Sequence, residues 1–567
     1  MHRSCQMKPI RGTERRSLAC ASRAALAAVS VVSLAACMVG PDFKTPSAAV
    51  AEKWLEAGDP SVQTDHQDYE RWWTVYNDPT LNHLIDLAYH QNLSLLAAGT
   101  RVLEARATLG IAIGEFYPQD QRVGGGISYN HVGQSASTQF NPENEFNLQN
   151  QPSQADLSPN PGSALGNFWS SQLGSQVVWE LDFWGKFRRG VASANAAYLG
   201  SIATYDDVLV TLLGDVATTY VGIRTLQTRI QITQENVVKQ REALQIATYK
   251  FHGGTATALD VYQAENVLFQ TQAAIPQLTA ELQKGEAALR VLLGMTPTSL
   301  DALLAGPQTI PVPPAEVAVG IPADLIRRRP DIRSAELRAA AQSEQIGIAK
   351  ADLFPSFALS GFFGTSATNI LGSSLSDVFS SNGIQFAYGL SFSWPILNYG
   401  RITNNVRVQD AKLQTLLIDY KNTVIRAQEE VETGLSGFLQ DHQRVELLRR
   451  SVAAADSALT VALYQYKLGT RDFTAVLNAE QNLYQAQTSL AMASGSYATS
   501  LVSTYRALGG GWQIREGSDF VNDATRNEMR SRTNWGSLLP PSGKPQPATP
   551  GLPSPADRGP DIRAPEW

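Results

Sequence analysis

The stretch that decides the fold runs from Leu413 to Tyr466 and reads LQTLLIDYKNTVIRAQEEVETGLSGFLQDHQRVELLRRSVAAADSALTVALYQY. Steps of four and three residues through it meet Leu413, Leu417, Tyr420, Val424, Ala427, Val431, Gly434, Phe438, Asp441, Val445, Leu448, Val452, Ala455, Leu459, Ala462 and Tyr466. Gly434 and Asp441 alone interrupt the apolar stripe. A seam recurring about every 3.5 residues marks a long supercoiled α-helix and not a set of short globular ones. No proline stands between Pro395 and Pro540 to break it. At ~1.5 Å per residue, the run from Gly400 to Gly469 spans roughly 100 Å. That is about three times the hydrocarbon core of a bilayer, and its Gln, Arg, Asp, Lys and Asn positions rule out a membrane span.

The same seam returns 215 residues earlier, from Tyr198 through Leu209, Val216, Ile223, Ile230, Val237 and Leu244 to Phe251. Landmarks outside the stripe match at the same offset. Trp179 aligns with Trp394, Gly185 with Gly400, Gly254-Thr255 with Gly469-Thr470, Ala264-Glu265 with Ala479-Glu480, and Leu293-Gly294 with Leu508-Gly509. A heptad pattern alone coincides easily, whereas Trp, Gly and Glu landmarks at one offset do not. The chain therefore reads as an internal duplication, one supersecondary unit used twice.

Between the helices the period changes to two. Val123, Gly125, Ile127 and Tyr129 alternate with polar or small residues, and Leu173, Val177, Trp179, Leu181 and Phe183 face opposite to Gln172, Gly174, Gln176, Glu180 and Asp182. In the second half Phe357, Leu359 and Phe363, then Ile384, Phe386, Tyr388, Leu390, Phe392 and Trp394, stand against Gln385, Ala387, Gly389, Ser391 and Ser393. Segments of about ten residues with one apolar, aromatic face and one polar face suit a lipid-facing, water-lined transmembrane barrel. A soluble β-sandwich is the alternative, but no second sheet follows to cover the aromatic face. Four strands cannot close a barrel. Two copies would give eight strands with a filled interior, and three would give twelve, enough to leave a lumen. The loops from Asn130 to Asn167 and from Thr365 to Asn382 would then lie outside the cell.

With 567 residues, a net charge of −6 and 43% hydrophobic residues, the chain can bury large surfaces and is too acidic to suggest nucleic acid as a partner. Its three cysteines, Cys5, Cys20 and Cys37, precede the body, which is left without thiol chemistry. Arg11, Arg15, Arg16 and Arg23 followed by the apolar run Ala24 to Ala36 have the form of a signal peptide. The run ends in Leu34-Ala35-Ala36-Cys37, which resembles the lipobox of bacterial lipoproteins, with Cys37 as the acylated residue. Met38 follows it, and the absence of aspartate there favours the outer membrane.

Asn77-Asp78-Pro79 starts a helix expected to run to about Glu115, with Asp78 as its cap and Trp72-Trp73 packing its junction. Pro276 should kink the returning helix Ala258 to Leu293 in this copy alone, since Ala491 is its counterpart. Thr296 to Pro322 is a proline-rich crossover. After Trp512 the period is lost, and the proline-rich residues from Pro540 onward are expected to be disordered or to run along the surface. The expected divisions are 1–36 (leader), 37–79 (tether and equatorial segment), 80–294 (first repeat), 295–323 (crossover), 324–509 (second repeat) and 510–567 (equatorial or disordered tail).

Functional residues are sought at the helix tips. In Phe251-His252-Gly253-Gly254-Thr255 and Tyr466-Lys467-Leu468-Gly469-Thr470, glycine should reverse the chain and threonine cap the next helix. Gly253, Gly254, Thr255, Gly469 and Thr470 are the expected docking turns for a partner's helical hairpin. Asp260, Gln263, Arg471, Asp472 and Asn478 lie within two turns of the tips, where a symmetric ring of polar residues could tie the helices shut; ordinary solvated charges would look the same. Arg327-Arg328-Arg329-Pro330 reads as a helix start whose arginines bridge neighbouring chains. There is no Walker loop, no Gly-x-Ser-x-Gly elbow and no His-Glu-x-x-His, so no enzyme, cofactor or metal site is expected.

These residues resemble the outer membrane factor family of tripartite efflux pumps (TolC-like proteins), closest to its NodT-type lipoprotein branch. The marks are Leu34 to Cys37, Trp72-Trp73 with Asp78-Pro79, Arg329-Pro330-Asp331-Ile332, Ala335-Glu336, Phe354-Pro355, and Leu477 to Asn482. The resemblance covers Cys37 to about Trp512. It implies a homotrimer with mixed α and β structure: a twelve-stranded outer-membrane β-barrel, four strands per chain, continuous with a long periplasmic α-barrel. It implies a periplasmic adaptor and an inner-membrane, proton-driven transporter as partners, and passive export of drugs or other small toxic solutes. Asn478 departs from relatives that carry an acidic gate residue at that position. Metal-ion or protein export, and a purely structural periplasmic coiled-coil lipoprotein, are the alternatives.

Overall fold

Two long helical hairpins carry the molecule, and a computed structural model describes residues 38–63, 69–131, 167–320, 322–369 and 374–539. Cys37, the leader, most of the 130–167 loop and the tail from Pro540 lie outside the described residues. The tether ends in β1 (Val62–Gln63), and after an aromatic 3₁₀ turn at Trp72–Tyr76 come α1 (Pro79–Gln91) and α2 (Leu93–Phe116). Strands β2 (Asp120–His131) and β3 (Asn167–Leu181) lead into α3 (Lys186–His252) and α4 (Ala258–Leu292). A crossover carrying β4 (Val317–Ala318) leads to α5 (Pro322–Arg328), α6 (Pro330–Ala351), β5 (Ser356–Thr368), β6 (Ile384–Ser393), α7 (Arg401–Leu468) and α8 (Phe473–Ala507). A last helix, α9 (Asp523–Arg532), follows. The long helices α3 and α7 have 67 and 68 residues, and α4 and α8 have 35 each.

The stripe that predicts α7 is its packed face. Tyr420, Val424, Ala427, Val431, Phe438, Val445, Leu459 and Tyr466 are all buried. Its two interruptions are contacts with α8. A Cβ on Gly434 would stand 2.9 Å from Thr504 Oγ1, so the glycine is a notch for the neighbouring helix, and Asp441 accepts a hydrogen bond of 2.9 Å from Ser500 Oγ. Gly495 likewise admits Thr225 of α3, so α8 is seated between α3 and α7. One window of α3 is apolar enough to cross a bilayer, but 61% of it is buried in the molecule.

The main core lies where the tether, the crossover and the C-terminal segment wrap the helices. Trp72 stacks on Tyr505 with centroids 5.7 Å apart, and Phe438 on Tyr497 at 4.9 Å. Such rings contribute about 1.5–3 kcal/mol each on burial. Trp54 Nε1 donates to the Gly320 carbonyl at 3.0 Å, and β1 pairs in parallel with β4.

The helix expected from Pro79 to Glu115 is broken. Asn92 takes a β conformation, its Oδ1 accepts from Leu95 N–H at 2.8 Å, and its Nδ2 donates to the Leu292 carbonyl at 2.8 Å. The break combines a local N-cap by Asn92 on α2 with a tie to the end of α4. Helix α4 runs unbroken through the exposed Pro276. The segment after Trp512 is not featureless either, since α9 starts from Asn522, whose side chain accepts from Thr525 N–H. Arg329 is engaged within its own chain. Its guanidinium reaches Asp331 at 2.8 Å, Glu430 at 2.7 Å and the Ala507 carbonyl at 2.7 Å.

The antiparallel sheet has the order β2-β3-β5-β6. Register places Val123, Ile127, Leu173, Val177, Leu359, Phe363, Phe386, Tyr388 and Leu390 on one face, where all nine are exposed. The opposite face carries Gln172, Gln176, Ser360, Ser366, Gln385 and Ser391.

Candidate functional site

The two tips share one turn geometry and differ in how the following helix is capped. Gly254 has φ +73° and Gly469 φ +76°, a conformation that glycine adopts at little cost. The threonines serve the helix behind them and not the one ahead. Thr255 donates from N–H (2.8 Å) and Oγ1 (3.1 Å) to the Lys250 carbonyl, and Thr470 does the same to Gln465 at 3.0 and 3.1 Å. The cap of α4 is Thr257, in a reciprocal capping box with Asp260. Helix α8 starts at Asp472, whose side chain makes no cap hydrogen bond.

Asp260 is thus committed to its own helix. Arg471, Asp472 and Asn478 are exposed and Gln263 partly so. Among the described residues these four make no side-chain hydrogen bond or ion pair within the chain, so the structure does not join the five into a network in one protomer. The tie between the hairpins uses residues that sequence reasoning missed. Lys250 lies 4.5 Å from the centroid of the Tyr466 ring and its Nζ donates to the Tyr466 carbonyl. The Tyr466 ring packs on Phe473 at 5.0 Å, and burial raises its phenol pKa.

Above the tip, the α3–α8 seam is polar. Asn236 donates to Gln487 at 2.6 Å, and the Thr233 and Tyr484 hydroxyls lie 3.4 Å apart. On this seam Glu480 is 3% exposed and Gln240 is equally buried, and Oε1 of each has no hydrogen-bond partner. Burial pushes the Glu480 carboxyl up to about 7. The matched landmark Ala264-Glu265/Ala479-Glu480 was the available signal, though nothing in it distinguished a buried glutamate from an exposed one.

The surface of the tip offers a partner two features. A groove of about 550 Å³ between α7 and α8 is lined by Ala454, Ala458, Ala462 and Ala475 and ends at Arg471. Around the tips Tyr249, Leu259, Tyr262, Tyr464 and Leu468 are each more than 60% exposed. Small residues along a groove with apolar side chains at its end suit an incoming helix.

At the other end, the first described residues are clamped beneath the sheet. Val39 N–H donates to the Trp184 carbonyl at 3.1 Å. Arg189, 1% exposed, donates to the carbonyls of Val39 (2.7 Å), Gly40 (3.3 Å) and Pro41 (3.2 Å), and pairs with Glu344 at 2.7 Å and Asp42 at 3.1 Å.

Residues 84–295 and 321–510 match the family model described as outer membrane efflux protein. Nodulation protein T of Rhizobium leguminosarum bv. trifolii is 31% identical over 84% of this chain and 95% of its own length. The toluene efflux pump outer membrane protein TtgI of Pseudomonas putida is 28% identical over 86% of this chain and 98% of its own. Among solved structures, the outer-membrane channel OprN matches with a TM-score of 0.74 and 30% identity, covering 84% of this chain and all of that one.

Proposed function

The chain belongs to the outer membrane efflux protein family, and from that membership and the geometry above we propose how it builds the outer-membrane exit duct of a tripartite efflux system. Three copies pair β6 of one with β2 of the next, closing a twelve-stranded barrel with the apolar face toward lipid and the Gln/Ser face toward water. The observation that carries this is the sheet itself: neither β2 nor β6 has an outer partner strand among the described residues, and β6 is exposed along its whole length. An unpaired edge and an open aromatic face each cost free energy that threefold closure in a membrane removes.

Below the membrane the hairpins of three chains continue the wall into the periplasm. The tips and the groove beside them receive a periplasmic adaptor, which opens the duct toward a proton-driven inner-membrane transporter. Gln263, Arg471, Asp472 and Asn478, idle within one chain, become gate residues by meeting neighbours across the threefold axis. Acylated Cys37 holds the N-terminus in the outer membrane just beyond the Arg189 clamp. Transport through the chain is passive, and its cargo is small toxic solutes, including drugs.

The test is purification in detergent followed by reconstitution. A heat-modifiable trimer that conducts in planar bilayers and restores solute export to cells lacking their own duct is expected. A monomer, or a trimer with no conductance, overturns the reading.

A further inference from the structure

We propose that Phe362 is a solute-contact residue inside the barrel, forming with its two symmetry mates a collar that takes planar apolar or aromatic solutes in transit. The inference rests on the trimeric barrel proposed above.

Phe362 lies on β5 between Gly361 and Phe363, whose positions face lipid, so alternation turns it to the water side. Its cross-strand partners are Gln176 on β3 and Ala387 on β6, and around it on that face stand Gly174, Val178, Ser360, Gly364, Gln385 and Gly389. Apart from Val178 toward the helices and the buried Phe168 at the outer rim, the water-side positions of β3 and β5 are polar or small. A large ring in that wall is therefore a departure from the pattern.

The ring has a place made for it. Gly174 and Gly364 are paired across β3 and β5. A Cβ on Gly174 would stand 2.8 Å from Phe362 Cε2, and one on Gly364 2.7 Å from Gly174 Cα and the Leu173 carbonyl oxygen and 2.8 Å from Cζ. Neither position could carry a side chain without displacing the ring, so the two glycines form a slot in which it lies against the wall. One part of the ring covers backbone while the rest stays open to the lumen, since Phe362 is only half-buried. A ring held flat leaves the bore open and presents an apolar surface against which an aromatic solute can stack or meet edge to face. Such a contact is weak enough to release what it holds, as a conduit requires.

The experiment is open-channel block in planar bilayers, with tetraphenylphosphonium added on the extracellular side and tetramethylammonium as the small control cation. F362S should raise the half-blocking concentration of tetraphenylphosphonium about three- to tenfold, the range expected for one lost ring contact per chain, and leave tetramethylammonium unaffected. F362L, which keeps apolar bulk and the sheet contact, should raise it by a smaller factor, and F362W should lower it. Trimer heat stability is measured on the same variants. Block that is unchanged in F362S and F362L, with or without a loss of heat stability, means that the ring only covers the glycine pair and overturns the proposal. A wild-type chain that forms no channel removes the exit-duct reading instead, so the two failures are separable.

Discussion

Lys250 of the first hairpin sits over the Tyr466 ring of the second, 4.5 Å from its centroid, and donates to the carbonyl of the same residue. One side chain thus joins the two tips through a cation–π contact of roughly 0.5–1 kcal/mol and a charge-assisted hydrogen bond of about 1.5–3 kcal/mol. K250Q should loosen the periplasmic end. The expected result is an open-state occupancy raised about tenfold or more in bilayer recordings, following the factor of ten per ~1.4 kcal/mol, with trimer heat stability little changed. Recordings indistinguishable from wild type would remove Lys250 from the closure.

Glu480 gives the seam above the tip a pH dependence whose sign is fixed by its burial. An ordinary glutamate titrates at 4.5, and burial raises this one to about 7. A carboxyl whose folded value lies above its unfolded value favours folding in its neutral form. Its contribution is full below about 4.5 and is lost as the pH rises through about 7, a change on the order of 3 kcal/mol. E480Q should abolish that part of the slope, so the gap between variant and wild-type melting temperatures should widen from pH 5 to pH 8. A constant gap would mean that Glu480 is solvated or paired in the assembled trimer.

Arg189, 1% exposed to solvent, holds the tether through four partners and is itself paired with Glu344 of α6. R189M would leave the partly buried Glu344 without its cation and strip residues 39–42 of their arginine contacts, at a cost of about 2–4 kcal/mol. Limited proteolysis with N-terminal sequencing should show rapid cleavage near residues 40–50 in the variant. In C37S, with the clamp intact, the same segment should stay protected. Early cleavage in C37S would mean that acylation, and not Arg189, holds the segment.

Gly434 tests the reading of the seam itself. With Thr504 Oγ1 2.9 Å from where its Cβ would stand, G434V should overpack the α7–α8 contact by about 1–3 kcal/mol. The heat resistance of the protein should fall measurably, and T504G placed in the same chain should recover part of it. An undiminished melting temperature in G434V would show that the helices shift freely there.

The long helices and the strand alternation could be read from sequence because each is a periodic pattern sustained over many residues, and its physical cause, one buried face, is local. The interruptions Gly434 and Asp441 could not be read, since their reasons, Thr504 and Ser500, lie on another helix. The same holds at the tips. The sequence places Thr255 and Thr470 in turns but not the helix that they cap, because a threonine beside a glycine can bond in either direction. Lys250 and Glu480 carried no mark that separated them from solvated neighbours. Asn92 breaks a helix that its own neighbours in sequence would continue, capping α2 at Leu95 while its amide reaches the partly buried Leu292 carbonyl.

The C-terminal segment shows the largest gap between pattern and structure, and it leads to the last prediction. After Trp512 there is no period to read, yet Arg515 reaches into the core and donates to Asp206 of α3 at 2.5 and 3.2 Å, with the guanidinium 5.3 Å from the centroid of the Phe520 ring. Burial pushes Asp206 up to about 6 despite the arginine beside it, so the pair is held at a desolvation cost. Removing one partner is then worse than removing both. R515M alone should destabilise by about 3–5 kcal/mol, by leaving the carboxylate buried without a counter-charge, while D206L with R515M should lose less than the two single variants summed. Denaturant midpoints of the four proteins measure the coupling. A coupling near zero would mean that Arg515 is solvated in the trimer and that segment 512–539 docks through its apolar residues alone.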